Sequence, residues 1–186
     1  MRRRRLLGLG LAAAAWVAAS GHTPYRQWTV YRQRRLLIGT CRADAPTYPL
    51  GQRIAATLAS YLPESAAGVS RAPDQWRLAS LLSTGQLPVI LLSRADAAAL
   101  VAAEAPFIEF WGVQFAALFA FGDYLLVCRS DFPARHAYRV VRTLTEHAEE
   151  IPGARPIAAY EALPPHPGAL AYARGQPPPP EPGSKP

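Results

Sequence analysis

Along the 186-residue chain, short apolar runs alternate with stripes at helical spacing. Arg35 to Thr40 (RLLIGT) is one such run, with a β-branched residue and bounding charges, and reads as a buried strand. Leu50, Ile54, Leu58 and Leu62 then recur at every fourth position, which places them on one face of a helix over Pro49 to Leu62. Pro49 suits a first helical turn, and Pro63 stops the helix. Ala67 to Ser70 predicts a second strand. Asp74 to Thr84 predicts a helix with Asp74 as its N-cap and Gly85 just past its end. Pro88 to Ser93 (PVILLS) is apolar on both faces, as buried parallel strands are. Asp96 is placed to cap an Ala-rich helix reaching Ala103. In Phe115 to Arg129, two apolar runs flank Gly122-Asp123, the pattern of a β-hairpin. Pro133 to Glu150 predicts a long helix with Ala137, Val140, Val141 and Leu144 inward. Ala162 to Gly175 predicts a turn and a last short helix. Strands alternating with helices predict an α/β fold with a mixed, mostly parallel sheet and flanking helices.

The two ends stand apart from this pattern. Residues 1–20 (MRRRRLLGLGLAAAAWVAAS) combine a cationic start, an apolar stretch and small residues, the order of an export signal. The apolar stretch is shorter than the roughly 20 residues that span a bilayer. The expected location is therefore the periplasm, the alternative being a membrane anchor formed by the uncleaved segment. Residues 21–35 form a basic linker that includes YRQWTVYRQRR, a solvated stretch or a contact with a lipid surface. Residues 176–186 are Pro-rich and predict an extended, unfolded tail. Between them, residues 36–175 suffice for one compact domain. Of the formal net charge of +7, four units lie in Arg2 to Arg5, leaving too little to indicate nucleic acid as a partner.

Candidate chemistry lies in a repeated pattern. CRAD (41–44), SRAPD (70–74), SRAD (93–96) and CRSD (128–131) each put Arg and then Asp behind an apolar run. Arg42, Arg71 and Arg94 each follow a predicted parallel strand, at the sheet edge where open α/β folds bind ligands. A rim of guanidinium groups there suits a small anion or carboxylate. Asp74 and Asp96 have capping roles, and Asp131 has one before Pro133. Asp44 has no helix start beside it and is expected near the arginines. Arg129 follows a hairpin strand and need not join the rim. Cys41 and Cys128 occupy equivalent places in the pattern and are a candidate disulfide pair or two buried thiols. Neither a nucleophile elbow nor a phosphate-binding Gly-rich loop occurs, so no enzyme and no cofactor is expected. His136 and His147 stand three helical turns apart and cannot share a metal ion.

The stretch LIGTCRADAPTYPLGQRIAATLASYLP resembles the opening of the TAXI family, the solute-binding proteins of a class of TRAP-type transporters. The residues that carry the resemblance are Ile38-Gly39-Thr40, Thr47-Tyr48-Pro49 and Gly51. RLASLLSTGQLPVILLSRADAA and the closing LPPHPGALAYARG are similar to later family segments. The resemblance implies a periplasmic-binding-protein-like lobe, with Thr40, Thr47 and Tyr48 as ligand-contacting positions beside Arg42, Arg71 and Arg94. Departures accompany it. Ala45-Pro46 stands where the family has a Gly-Gly turn. Gly122-Asp123 joins what look like the two hinge strands, so the second lobe of the family is expected to be missing. Two functions follow as expectations. One is a truncated receptor that binds a small carboxylate or other anion for a membrane transporter subunit. The other is a degenerate lobe that docks on another periplasmic protein without transporting solute.

Overall fold

A computed structural model describes residues 35–157 and 162–180 of the protein. The expected export signal, the basic linker up to residue 34 and the end of the Pro-rich tail lie outside the described residues. Among the described residues, no helix is long and apolar enough to cross a membrane.

The elements run β1 (Leu37–Cys41), α1 (Thr47–Tyr61), β2 (Gly68–Ala72), α2 (Gln75–Ser83), β3 (Val89–Ser93), α3 (Arg94–Ala102), β4 (Phe115–Phe121), β5 (Tyr124–Arg129), α4 (Ala134–Glu146), β6 (Ala154–Pro156) and α5 (Pro167–Ala173). The six strands form one sheet in the order β2-β1-β3-β5-β4-β6. The fold is α/β, as expected, but the sheet is not mostly parallel. β1 pairs parallel with β2 and β3, whereas β3–β5, β4–β5 and β4–β6 are antiparallel. The reason is the hairpin. A two-residue turn reverses the chain, and only a long crossover can bring a strand back parallel. Gly122 takes φ +57°, the left-handed value such tight hairpin turns require. β6 was not foreseen. Its three residues include Arg155 and Pro156, which make a short edge strand that cannot readily template further pairing.

Alternating side chains divide the core between the two faces of the sheet. Ile38, Val89, Leu91, Leu126 and Cys128 face α1, α4 and α5. Cys41, Ile90, Leu92, Leu125 and Val127 face α2, α3 and the turn at Ile108–Phe110. In β4 the register shifts between Ala117 and Phe119. This bulge adds one residue, so Leu118 and Phe119 both point to the α1/α4 face. Small residues bring the helices close to the sheet: a Cβ on Gly51 of α1 would sit 2.7 Å from Thr40 Cγ2.

The observed caps partly revise the sequence pattern. Asp74 caps α2 as expected, accepting the Arg77 N–H at 2.7 Å. At α3, Ser93 is the N-cap instead of Asp96. Its hydroxyl accepts the Asp96 N–H at 3.0 Å and donates to the Asp96 carboxylate at 2.8 Å. Asp131 does not cap α4. It pairs with Arg129, and Pro133 holds the cap position without a side-chain bond.

His166 caps α5 through Nδ1, which accepts the Gly168 N–H at 3.1 Å. Its Nε2 is buried near the Phe132 and Ser130 carbonyls but outside hydrogen-bond geometry. Burial is the main cause that holds its pKa below the usual 6.5, against the weaker opposing effect of those carbonyls. The unfolded chain therefore binds the proton first as pH falls. Stability is fully present above about pH 6.5 and is lost as pH drops through the folded-state value. A urea midpoint followed from about pH 7.5 to 5 should fall. In the His166→Asn variant, which keeps an acceptor for Gly168, the decline should be shallower. Identical profiles would rule out the imidazole as its source.

Candidate functional site

The loops that follow β1, β2 and β3 share one edge of the sheet, because these three strands are parallel neighbours. Arg42 follows β1 and Arg94 opens α3, whereas β2 runs two residues past its expected end, so that Arg71 lies within it, paired with Thr40; all three still stand at this edge. Their side chains are engaged differently. The Arg71 guanidinium lies over the Tyr48 ring, 4.3 Å from its centroid. The Nε and one Nη of Arg94 donate to the Gly122 carbonyl at 3.1 and 3.0 Å. Arg42 is exposed, and its amide donates to the Ala72 carbonyl at 2.9 Å. Arg129 stands apart, as expected of an antiparallel strand. It ends β5 opposite Phe115, with its side chain on Asp131 and on the Ser83 carbonyl.

The two buried threonines carried over from the resemblance serve the loop itself. Thr40 donates to the Ser70 carbonyl at 3.1 Å, which ties β1 to β2. The Thr47 hydroxyl accepts the Cys41 N–H at 3.0 Å and donates to the Asp44 carbonyl at 2.6 Å, with the Cys41 carbonyl at 3.1 Å. One hydroxyl thus closes the loop between β1 and α1. Ala45-Pro46, which removes the flexibility of a Gly-Gly turn, suits that closed form.

Asp44 does not pair with the arginine rim. It accepts a hydrogen bond from the Tyr124 hydroxyl at 3.0 Å. The Tyr124 pKa is pushed up to about 12, first by burial, then by the Asp44 bond and charge, with smaller effects from Asp123 and Asp96. Near neutral pH this phenol stays protonated and keeps the hydrogen that it donates to Asp44. Tyr124 was missed in the sequence as a site residue. Its signal was weak: one hydroxyl-bearing side chain at the start of an otherwise apolar strand.

The candidate disulfide between Cys41 and Cys128 is corrected: both thiols are free and buried. Cys41 belongs to the α2/α3 face of the sheet and Cys128 to the α1/α4 face. Cys41 also ends β1, whereas Cys128 pairs with Val89 at the start of β3. That offset is about three residues, or roughly 10 Å along the strands, and a bridge tolerates at most about 7 Å between Cα atoms. Burial, followed by the Asp131 charge, pushes the Cys128 thiol far above its usual range. Native protein should therefore react slowly with iodoacetamide and show the same melting midpoint with and without reductant. A midpoint lowered by reductant would restore the bridge.

Away from this edge, Tyr61 stacks on His147 with centroids 3.4 Å apart and donates to Glu150 at 2.7 Å. Glu149 lies beside this pair. These contacts join the end of α1 to the end of α4.

The site thus lies on a single α/β lobe, at one edge of its six-stranded mixed sheet. No family model matches the chain, and no curated protein matches it.

Proposed function

We propose that the chain is a one-lobe, TAXI-like exported protein that works as a protein-interaction module and not as the solute receptor of a TRAP-type transporter. The observation that carries this reading is the internal use of the groups expected to hold a solute. The Thr40 and Thr47 hydroxyls, the Asp44 carboxylate and the Arg94 guanidinium are all bonded within the protein. A ligand would have to break those bonds, and binding gains little when one hydrogen bond merely replaces another. Without an opposing lobe, the edge also encloses little of a small molecule, whereas good pockets bury most of their ligand.

What the lobe offers instead is apolar surface. Trp111 is 84% exposed and Ile108 63% exposed, with Val113 close by in the chain. Exposed Trp76 meets the neighbouring Phe110 ring at 6.3 Å. Large apolar side chains gathered in this way commonly mark protein contacts. The partner is then another exported protein or the outer face of a membrane protein.

One observation favours the receptor reading. Arg71, with Tyr48 beneath it, stays exposed next to Arg42 and has the form of an anion contact. A melting screen with dicarboxylates and amino acids separates the two readings, because a ligand of the native state must raise the midpoint. No shift is expected for wild type or for Arg71→Ala. In living cells, a photo-crosslinker at position 111 should capture one discrete partner, and Ile108→Glu should abolish that capture. If a carboxylate raises the midpoint and Arg71→Ala removes the rise, the receptor reading replaces this one.

A further inference from the structure

The opposite edge of the sheet, where the chain enters β1 and β3, holds a cleft of about 130 Å³. Its base is apolar: Leu36 and Leu62 are buried, Val140 is 2% exposed, and Phe132 is half-buried beside them. Its rim is polar. His136, Arg139 and Val140 occur at spacing i, i+3, i+4 on α4, so one helix face supplies both rim and base. Arg139 is paired with Glu64, so those two charges cancel. Arg35 also lines the cleft, and it forms no ion pair with a described residue. One positive charge is thus left uncancelled at the rim.

Ser65 provides a second, independent observation. It lines the same cleft, and its hydroxyl is fully buried with no hydrogen-bond partner. Its backbone is satisfied, since its carbonyl accepts the Leu36 N–H at 2.8 Å and its own N–H donates to Leu62 at 2.9 Å. Folded proteins rarely leave a buried hydroxyl unpaired, and such a group calls for a water, an ion or a ligand. Size helps to choose among them. A cavity of about 150 Å³ takes a benzene-sized molecule, so this cleft has room for more than one water.

We infer that this cleft binds a short monocarboxylate, of about five carbons by that comparison of volumes. Its alkyl body lies on Leu36, Leu62, Phe132 and Val140. Its carboxylate takes hydrogen bonds from Ser65 and Arg35, with His136 as a further donor at the rim. A dicarboxylate fits poorly, because its second charge would be buried on the apolar base without a partner. The inference stands apart from the proposed protein-interaction role and from the Arg71 edge.

The test titrates pentanoate into the full chain and follows it by calorimetry, with succinate and pentanol as comparisons. Pentanoate should bind with a Kd on the order of 0.1–1 mM, and both comparison compounds at least about tenfold more weakly. Arg35→Gln, a change at an exposed residue, should weaken pentanoate about tenfold. Ser65→Ala should weaken it several-fold and yet raise the unliganded melting midpoint by about 2–4 °C, because it removes the unpaired hydroxyl. No heat with pentanoate up to about 20 mM, far above that expected Kd, would overturn the inference. Equal affinity for pentanol would overturn the carboxylate assignment. Loss of binding in Arg71→Ala, with Arg35→Gln and Ser65→Ala unaffected, would place the ligand at the other edge; that result overturns this inference and supports the receptor reading instead.

Discussion

Gly168→Ala should destabilise the protein by about 3 kcal/mol and lower its melting midpoint by roughly 10 °C. Gly168 is in the first turn of α5, where the chain packs on the start of α4. A Cβ at this position would lie 2.1 Å from the Ala134 carbonyl oxygen and 2.8 Å from Ala137 Cβ. The first of these is a backbone atom, so no side-chain rotation relieves the clash. α5 must shift away, and the shift also strains the His166 cap and the buried Ala169. Helix propensity works in the other direction, since Ala is favoured over Gly by about 1 kcal/mol inside a helix. The expected loss is therefore a net value, with packing outweighing propensity. A thermal melt decides it: a midpoint within about 2 °C of wild type, less than 1 kcal/mol, would mean that α5 does not dock this closely.

Thr47→Val should cost about 2 kcal/mol, while Thr47→Ser should cost less than about 1 kcal/mol. Valine keeps the β-branched shape that fills the site but removes the hydroxyl. The Cys41 N–H then loses its acceptor in a buried loop, and the Asp44 carbonyl loses one of its two donors, keeping the backbone N–H of position 47. Leaving such an N–H unpaired costs about 1–3 kcal/mol, more than the bond itself contributes. Serine restores both bonds and gives up only a methyl group. Urea denaturation of the two variants measures the difference. If both lose equally, the methyl group and not the hydroxyl holds the loop. The outcome also bears on function, because a hydroxyl held in this way is structural and is not free to bind a solute. Valine at this position should change stability without changing any affinity for anions.

Much of the fold could be read from local pattern. The fourfold spacing of Leu50, Ile54 and Leu58 corresponds to α1, where Ile54 and Leu58 are fully buried. The apolar runs on either side of Gly122-Asp123 form the expected hairpin, paired from Phe115–Arg129 to Phe121–Tyr124. Asp74 caps α2 as its position indicated. These features are legible because each rests on residues a few positions apart: side-chain period, capping and turn geometry are local properties.

The candidate site was legible only in part. The sequence placed Arg42, Arg71 and Arg94 at the ends of parallel strands, and that placement depends on strand order and direction. It contained no information on what each guanidinium would meet. Tyr48 under Arg71, the Gly122 carbonyl under Arg94 and Tyr124 on Asp44 lie 23, 28 and 80 positions away from their partners in the chain. The four similar motifs also concealed a difference in direction. Because β5 runs antiparallel, CRSD at 128–131 ends at the edge opposite the other three, and Cys128 is on the opposite face from Cys41. The sequence by itself thus determined the apolar face of α1, the β4–β5 hairpin and the Asp74 cap. Only the tertiary structure decided which elements meet, which polar groups are left for a ligand, and that Arg35, Ser65 and α4 form one cleft. The physical reason is that burial of a face is a one-dimensional pattern, whereas the partner across that face is set by packing of the whole chain.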